Sequence, residues 1–367
     1  VLNATQYTYE KDRFGNDQYD AAADYSETIT PTDYWKEQVD PNDGVTTRLE
    51  AVLSHVQTAL TYGRNLKGSY YPNLFVDGIN VDTKEPVTWV YKNTTYYPTN
   101  FLAQQSLMKM LDGLTVLSGD RKYREIAYDQ YRFWFENLTD SNGLLYAGPH
   151  VIVDVMTGNI YKEEHEVKDN QLPYELMWAA DPVGTKRYIE ALWNAHVWDM
   201  TSVNMNRHGK YNLPMGELWN SAYLDDSPYV LARLNEVAFT CTANDLMEAA
   251  YFLSSKTGDP APRLWADRML EKLIAVQDDN TGLAGGQYGL ATGSDGQVQD
   301  RFNTMFNEGS TYKKYNETQW INRDTVKTTT GFGPQSLLPE YEETGNQKIY
   351  DYITNNMSGV AEYIYLP

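Results

Sequence analysis

The chain has 367 residues, enough for one large domain or two ordinary ones. Its 41% hydrophobic content supports a buried core and excludes an intrinsically disordered chain. A formal charge of −20 argues against nucleic acid and anionic membrane surfaces as partners, and no run of about 18 apolar residues is present to span a bilayer. The single cysteine, Cys241, has no second thiol within this sequence to pair with.

The sequence starts at Val1 without a methionine, which reads as a processed, secreted form. Residues 1–45 are polar, rich in Tyr and Asp and interrupted by Pro31 and Pro41, so an irregular N-terminal arm is predicted there. Residues 46–367 read as one helical domain. Leu49, Val52, Leu53, Val56 and Leu60 recur at three and four, the stripe of an amphipathic helix that ends near Gly63. The aromatic, proline-punctuated stretch 64–98 reads as a long loop or small hairpin. A second helix is predicted over 101–117, with Leu102, Leu107, Met110, Leu111, Leu114 and Leu117 on its buried side. Asn3, Asn93, Asn137, Asn316 and Asn356 each begin an Asn-X-Ser/Thr sequon and are candidate glycosylation sites.

An internal repeat then emerges. Gly119-Asp120 follows one helical stretch and precedes another, which ends at Asn142-Gly143-Leu144; 139 residues further on, Gly258-Asp259 and Thr281-Gly282-Leu283 hold the same places. In a third copy Gly345-Asn346 takes the Gly-Asp position. Each unit reads as helix, glycine turn, helix and loop. Helical hairpins that bury one face against their neighbours predict an all-α fold of the (α/α) toroid or barrel type. Three copies look too few to close a ring, so the toroid is expected to be incomplete or the chain truncated.

The segment 150–209 concentrates the chemistry. Four of the five histidines, His150, His165, His196 and His208, lie in it among Glu163, Glu164, Glu166, Lys168, Glu175 and Arg207. Imidazole and carboxylate together are what a divalent-metal site draws on, although a single histidine in a helical protein is usually packed or solvated. Following the first hairpin, His150 would stand at the mouth of a toroid cavity. Thirty tyrosines and nine tryptophans also suit sugar binding, since aromatic faces stack on the apolar faces of pyranose rings.

Gly148-Pro149-His150, His165-Glu166-Val167-Lys168, Leu172-Pro173-Tyr174, Trp193-Asn194-Ala195-His196 and Met205-Asn206-Arg207-His208-Gly209 resemble the family 2 polysaccharide lyases, the periplasmic-type pectate lyases. The likeness runs from about residue 45 to the C-terminus, through Asp300-Arg301-Phe302 and Phe332-Gly333-Pro334. The resemblance implies an (α/α) barrel and metal-assisted β-elimination of polygalacturonate or a related uronate polymer. It implies metal ligands at His150, Glu166 and His208, a catalytic arginine at Arg207, a further active-site arginine at Arg301, and substrate contacts from Lys168 and Tyr174. The chain departs from the family pattern at Asn170, where relatives often carry histidine, and at Pro149, which replaces the second glycine of a Gly-Gly-His turn. Both departures bear on metal affinity and substrate choice.

Two histidines and one carboxylate suit Mn²⁺ or a similar first-row ion better than Ca²⁺, which prefers all-oxygen sites. Arg207 acts in this reading as the base for the C5 proton, or else grips a sugar carboxylate while another group is the base. His165 is expected to support the ligands, and His196 to pack in a helix. An acidic polysaccharide must overcome the global charge through the metal and local Arg and Lys. Two other readings compete: a toroid glycoside hydrolase using acids such as Asp199, Asp225 and Asp226, and a non-enzymatic extracellular glycan-binding or structural glycoprotein. A product with a new C4–C5 double bond separates the lyase from both.

Overall fold

The computed structural model describes residues 9–11, 17–19, 48–168, 170–224, 237–275, 277, 282, 287–290, 312–315, 319–322 and 334–363. Within the predicted N-terminal arm, β1 (Tyr9–Lys11) and β2 (Asp17–Tyr19) pair antiparallel; the remainder of that arm lies outside the described residues. Contacts divide the chain into two compact units, Val1–Glu163 with Leu172–Lys186, and Glu164–Gln171 with Arg187–Pro367.

In the first unit, α1 (Arg48–Tyr62) stops one residue before Gly63, whose amide donates to the Ala59 carbonyl at 2.8 Å. The stretch after it contains a small hairpin, β3 (Trp89–Tyr91) against β4 (Thr94–Tyr96). β5 (Pro98–Thr99), β6 (Val151–Asp154) and β7 (Ile160–Lys162) form a three-stranded antiparallel sheet in that order. A 3₁₀ turn, Leu102–Gln104, leads into α2 (Gln105–Ser118). The buried stripe of α2 keeps Leu111 and Leu114 of the one periodicity predicted but is otherwise rotated. Gln105, Met108, Leu111, Leu114 and Thr115 are buried, whereas Leu102, Leu107, Met110 and Leu117 are only half-buried. The stripe rotates because two glutamines find partners inside. Gln104 Nε2 donates to the Phe75 carbonyl at 2.7 Å and to Thr99 Oγ1 at 2.8 Å, and Gln105 Oε1 accepts from the Tyr131 hydroxyl at 2.9 Å. α3 (Lys122–Asn137) packs on α2, with Phe101 edge-on to Tyr131 and Trp134 at 5.8 and 5.6 Å between ring centroids. α4 (Tyr174–Ala180) packs on α3, and Arg132 Nε donates to its last carbonyl at 3.0 Å.

In the second unit α5 (Pro182–His196), whose first turn belongs to the first unit, leads into the antiparallel pair β9 (Val197–Asp199) and β10 (Asn204–Met205). α6 (Thr240–Thr257) and α7 (Pro260–Ala275) form the second hairpin, α8 (Leu338–Thr344) and α9 (Gln347–Tyr363) the third. Trp193, Leu246, Trp265, Leu270, Leu273 and Tyr352 are fully buried, and Trp193 Nε1 donates to the Leu246 carbonyl at 2.8 Å. A four-stranded sheet orders β12 (Val237–Phe239), β13 (Gln287–Leu290), β15 (Gln319–Asn322) and β14 (Tyr312–Tyr315).

The repeat is built from one local device. Gly119, Gly258 and Gly345 close α2, α6 and α8 in the left-handed conformation, with φ of 69°, 71° and 66°. Ahead of each stands a hydroxyl residue, Ser118, Thr257 or Thr344. It donates back to the carbonyl four residues earlier and accepts from the amide of Asp120, Asp259 or Asn346. The Asp or Asn then accepts, through its side chain, from the amide two residues on, in the first turn of the next helix. The second landmark also recurs in backbone terms: Gly143 and Gly282 both have positive φ, while Thr281 and Leu283 lie outside the described residues. Repeated hairpins of this kind make the described residues predominantly helical, as the repeat predicted.

Glycine substitutions separate the two roles that glycine plays here. Gly113 lies inside α2 with open space where a Cβ would stand, so Gly113→Ala should raise stability by about 0.5–1 kcal/mol. Gly258→Ala also meets no atom within 4 Å but must adopt a φ of +71°, and should lower stability by about 1 kcal/mol. Urea midpoints of the two variants moving in the same direction would contradict this.

Candidate metal centre

The centre grows from the shortest strands of the fold. β8 (His165–Glu166) pairs antiparallel with β11 (His208–Gly209), placing Glu166 opposite His208 and His165 opposite Gly209. Side chains alternate along extended chain, so Glu164, Glu166 and Lys168 share one side while His165 and Val167 turn to the other. His165 and Val167 are buried accordingly. α6 anchors the segment. Thr242 Oγ1 donates to the Val167 carbonyl at 2.8 Å, and the Asn170 amide donates to Asp245 Oδ2 at 3.4 Å. Asn170 also accepts the Lys168 amide through Oδ1 at 2.8 Å, so it shapes the turn after Lys168.

On the charged side, Glu166 is 1% exposed. Its Oε1 lies 3.1 Å from Lys168 Nζ, 3.6 Å from Arg207 Nη1 and 3.6 Å from His208 Nε2. Both cations also stand over the Phe239 ring, with Lys168 Nζ at 5.1 Å and the Arg207 guanidinium carbon at 4.8 Å from its centroid. Glu164 Oε2 lies 2.8 Å from His208 Nδ1. A proton held at Nδ1 by that carboxylate leaves Nε2 as the ligating nitrogen, the usual support for a metal-bound imidazole. The backbone of His150 is tied to the same stretch of chain, since its carbonyl accepts from the Glu163 amide at 3.2 Å.

One potential ligand atom each from His150, Glu166 and His208 lies within 4.8 Å of the others. Donors of one ion at about 2.0–2.2 Å are at most about 4.4 Å apart, so the trio would have to draw closer to seat a first-row ion. Two imidazoles and a buried carboxylate fit such an ion chemically. An all-oxygen calcium cage is not what these residues form.

The opposite side of the two strands carries a histidine relay. His165 Nδ1 and His196 Nε2 are 2.9 Å apart, and His196 Nδ1 is 3.0 Å from the Asn206 carbonyl. A carbonyl only accepts, so the Nδ1 proton of His196 goes to Asn206 and its Nε2 accepts from His165 Nδ1. Asn206 is held at three points: its amide donates to the His196 carbonyl at 2.9 Å, its own carbonyl takes the ring proton, and Oδ1 accepts the His208 amide at 3.0 Å. His196, the last residue of α5, thereby fixes where β11 starts. Gly209 is a requirement of this packing, because a Cβ there would stand 2.7 Å from His196 Nε2. Burial, aided by the neighbouring imidazole, pushes His165 well below the ordinary histidine range, and burial pushes His196 down to about 4.

A scan against protein families matches residues 72–366 to the periplasmic pectate lyase model. The chain belongs to the periplasmic pectate lyase family. It is 27% identical over 250 residues to the pectate disaccharide-lyase of Dickeya dadantii (strain 3937), an alignment covering 64% of this chain and 45% of that protein. The chain thus spans less than half the length of that relative. Among solved structures it resembles a D-mannose isomerase, with TM-score 0.47, 11% identity, and coverage of 88% of this chain and 72% of the other. An unsaturated glucuronyl hydrolase specific for heparin gives TM-score 0.42 and 10% identity, with coverage of 86% and 67%. These two likenesses are too distant to bear on the site.

The remaining predicted residues of this family member fall variously. Tyr174 is buried in the first turn of α4, at 4% exposure. Arg301, Asp225 and Asp226 lie outside the described residues. Asp199 Oδ1 caps a turn, accepting from both the amide and the hydroxyl of Thr201. Of the sequons, Asn93 and Asn137 are exposed, while Asn3 and Asn316 lie outside the described residues. Asn356 is 1% exposed and donates through Nδ2 to the Tyr352 carbonyl at 2.8 Å, so this fold leaves no room for a glycan there. No helix among the described residues is long and apolar enough to cross a membrane. The sequence marked nothing at Phe239, and it gave Asn206 and Gly209 only a place in the Met205–Gly209 motif. The signal available for Glu164 was its two-residue spacing from Glu166.

Two outcomes test the relay. Gly209→Ala should cost about 1–3 kcal/mol in urea unfolding, since His196 is held from two sides and cannot yield. Neutral in the fold, His196 becomes protonatable at its ordinary 6.5 once unfolded, so between about pH 4 and 6.5 the unfolded chain binds the extra proton. Stability from this group is therefore complete above pH 6.5 and falls as the pH drops toward 4. His196→Gln should show a shallower loss of urea midpoint over that window than the parent, and an equal or steeper loss would refute the assignment.

Proposed function

We propose that this chain cleaves polygalacturonate, or a closely related uronate polymer, by metal-assisted β-elimination in a periplasmic or extracellular setting. The observation that carries the reading is the approach of His150, Glu166 and His208 ligand atoms to within 4.8 Å, with the Arg207 guanidinium 3.6 Å from the same Glu166 oxygen. His150, Glu166 and His208 would hold the ion through their nitrogen and carboxylate donors. When bound, the ion withdraws charge from the sugar carboxylate and so makes the C5 proton more acidic.

The chain's own residues supply the rest. Glu164 keeps His208 in the ligating tautomer. Lys168, exposed beside the centre, would grip a uronate carboxylate. Arg207 acts as base. Arginine normally stays charged, but its counter-charge here is Glu166, whose electrons an ion would claim, and a neighbouring dication disfavours a second positive charge. The C5 proton passes to the guanidine, the C5–H electron pair forms the C4–C5 double bond, the C4–O bond breaks, and the leaving oxygen takes a proton from solvent. Arg301 is proposed as a second carboxylate contact on the family pattern.

The test is growth of the ultraviolet absorbance of unsaturated products from polygalacturonate. Chelation should abolish it and Mn²⁺ restore it. Arg207→Lys should lower kcat by about 10²–10⁴ while metal binding, measured by titration calorimetry, stays near the parent value. His208→Ala should lose metal and turnover together. Turnover by Arg207→Lys close to the parent rate would move the base elsewhere, and reducing ends released without absorbance would mark a hydrolase.

A further inference from the structure

Outside the metal centre, the hairpin β3–β4 presents an aromatic face. Trp89 and Tyr91 lie two residues apart on one side of the strand and stack, with centroids 5.3 Å apart and planes 29° from parallel. Trp89 remains 44% exposed. Tyr91 continues onto Tyr161 of β7, centroid to centroid at 4.9 Å, and the two hydroxyls are 3.0 Å apart. Lys92 Nζ stands 4.8 and 5.1 Å from these two ring centroids and 3.4 Å from the Tyr161 hydroxyl. The Tyr161 hydroxyl in turn donates to the Glu163 carboxylate, and the Glu163 amide donates to the carbonyl of the ligand candidate His150. The rings thus form a track from Tyr161 to Trp89 in solvent, and Glu163 links its inner end to the His150 backbone.

We infer that Trp89, Tyr91 and Tyr161, with Lys92, form a subsite that binds sugar residues of a uronate polymer away from the bond being cleaved. The inference rests on the uronate-polymer reading above. The chemistry selects this occupant in two ways. Stacked indole and phenol faces fit the C–H faces of pyranose rings, which an apolar peptide would not need in such a flat, open form. A lysine ammonium held above two of the rings adds a positive charge where a sugar carboxylate would lie, on a chain whose formal charge is −20. The presentation is rigid as well. Lys92 and Asn93 both have positive φ, 48° and 62°, the tight two-residue turn that matches the twist of its strands. Tyr161 is fixed from the sheet of β5, β6 and β7.

The experiment compares chain lengths. Trp89→Ala should raise KM for polygalacturonate by about 3- to 10-fold with kcat unchanged, and should leave trigalacturonate kinetics at the parent values. Trp89→Phe should recover most of the loss. Equal effects on trimer and polymer, or none on either, would overturn the subsite. Retardation in a native gel containing polygalacturonate reads the same subsite without turnover: it should be present in the parent and weakened in Trp89→Ala. If the parent turns over no uronate yet shows this difference, the lyase reading fails and the subsite stands. If the parent shows no retardation, the subsite fails.

Discussion

A carboxylate removed from water costs several kcal/mol unless charge and hydrogen bonds return what hydration supplied, and Glu166 is such a carboxylate. Everything around it answers that cost. Lys168, two residues on, and Arg207, one residue before its cross-strand partner, bring positive charge to the same oxygen, and Phe239 lies under both cations. The negative group is thus fixed between two cations that share one aromatic seat.

Precision comes from the side of the strands that carries no charge. Two-residue strands have too few ladder bonds to hold a register alone, and a slip by one residue would exchange Glu166 for His165. His165, His196 and Asn206 prevent this through directional bonds, and Gly209 permits the close approach of the imidazole. The end of α5 is thereby connected to the start of β11 by a fully buried side chain, His196. Fixed tautomers give the relay a single sense, running from His165 to the Asn206 carbonyl.

The hairpin repeat was legible because its cause is local: a hydroxyl residue, a glycine and an Asp or Asn in succession make the same bonds wherever they occur. His150, Glu166 and His208, whose potential ligand atoms lie within 4.8 Å of one another, stood in the family motifs already visible in the sequence. The rest depended on distance in sequence. Phe239 stands 73 residues from Glu166, and nothing in its neighbourhood marks it as a seat for cations. The buried face of α2 escaped periodicity because Gln104 and Gln105 are polar residues with internal partners, which a hydrophobic count scores as surface. Strands of two residues lie below the length at which alternation is readable.

The turn device also bears on the order in which the molecule forms. Each hairpin closes through bonds between residues at most five apart, so its nucleus needs little loop entropy and can assemble early. The register of β8 with β11 joins positions 166 and 208, and the Thr242 and Asp245 anchors add a further span, so the centre comes together late. Helix content and the geometry of the centre are therefore separable properties of this chain: a variant can keep its far-ultraviolet spectrum after the register of β8 with β11 is lost.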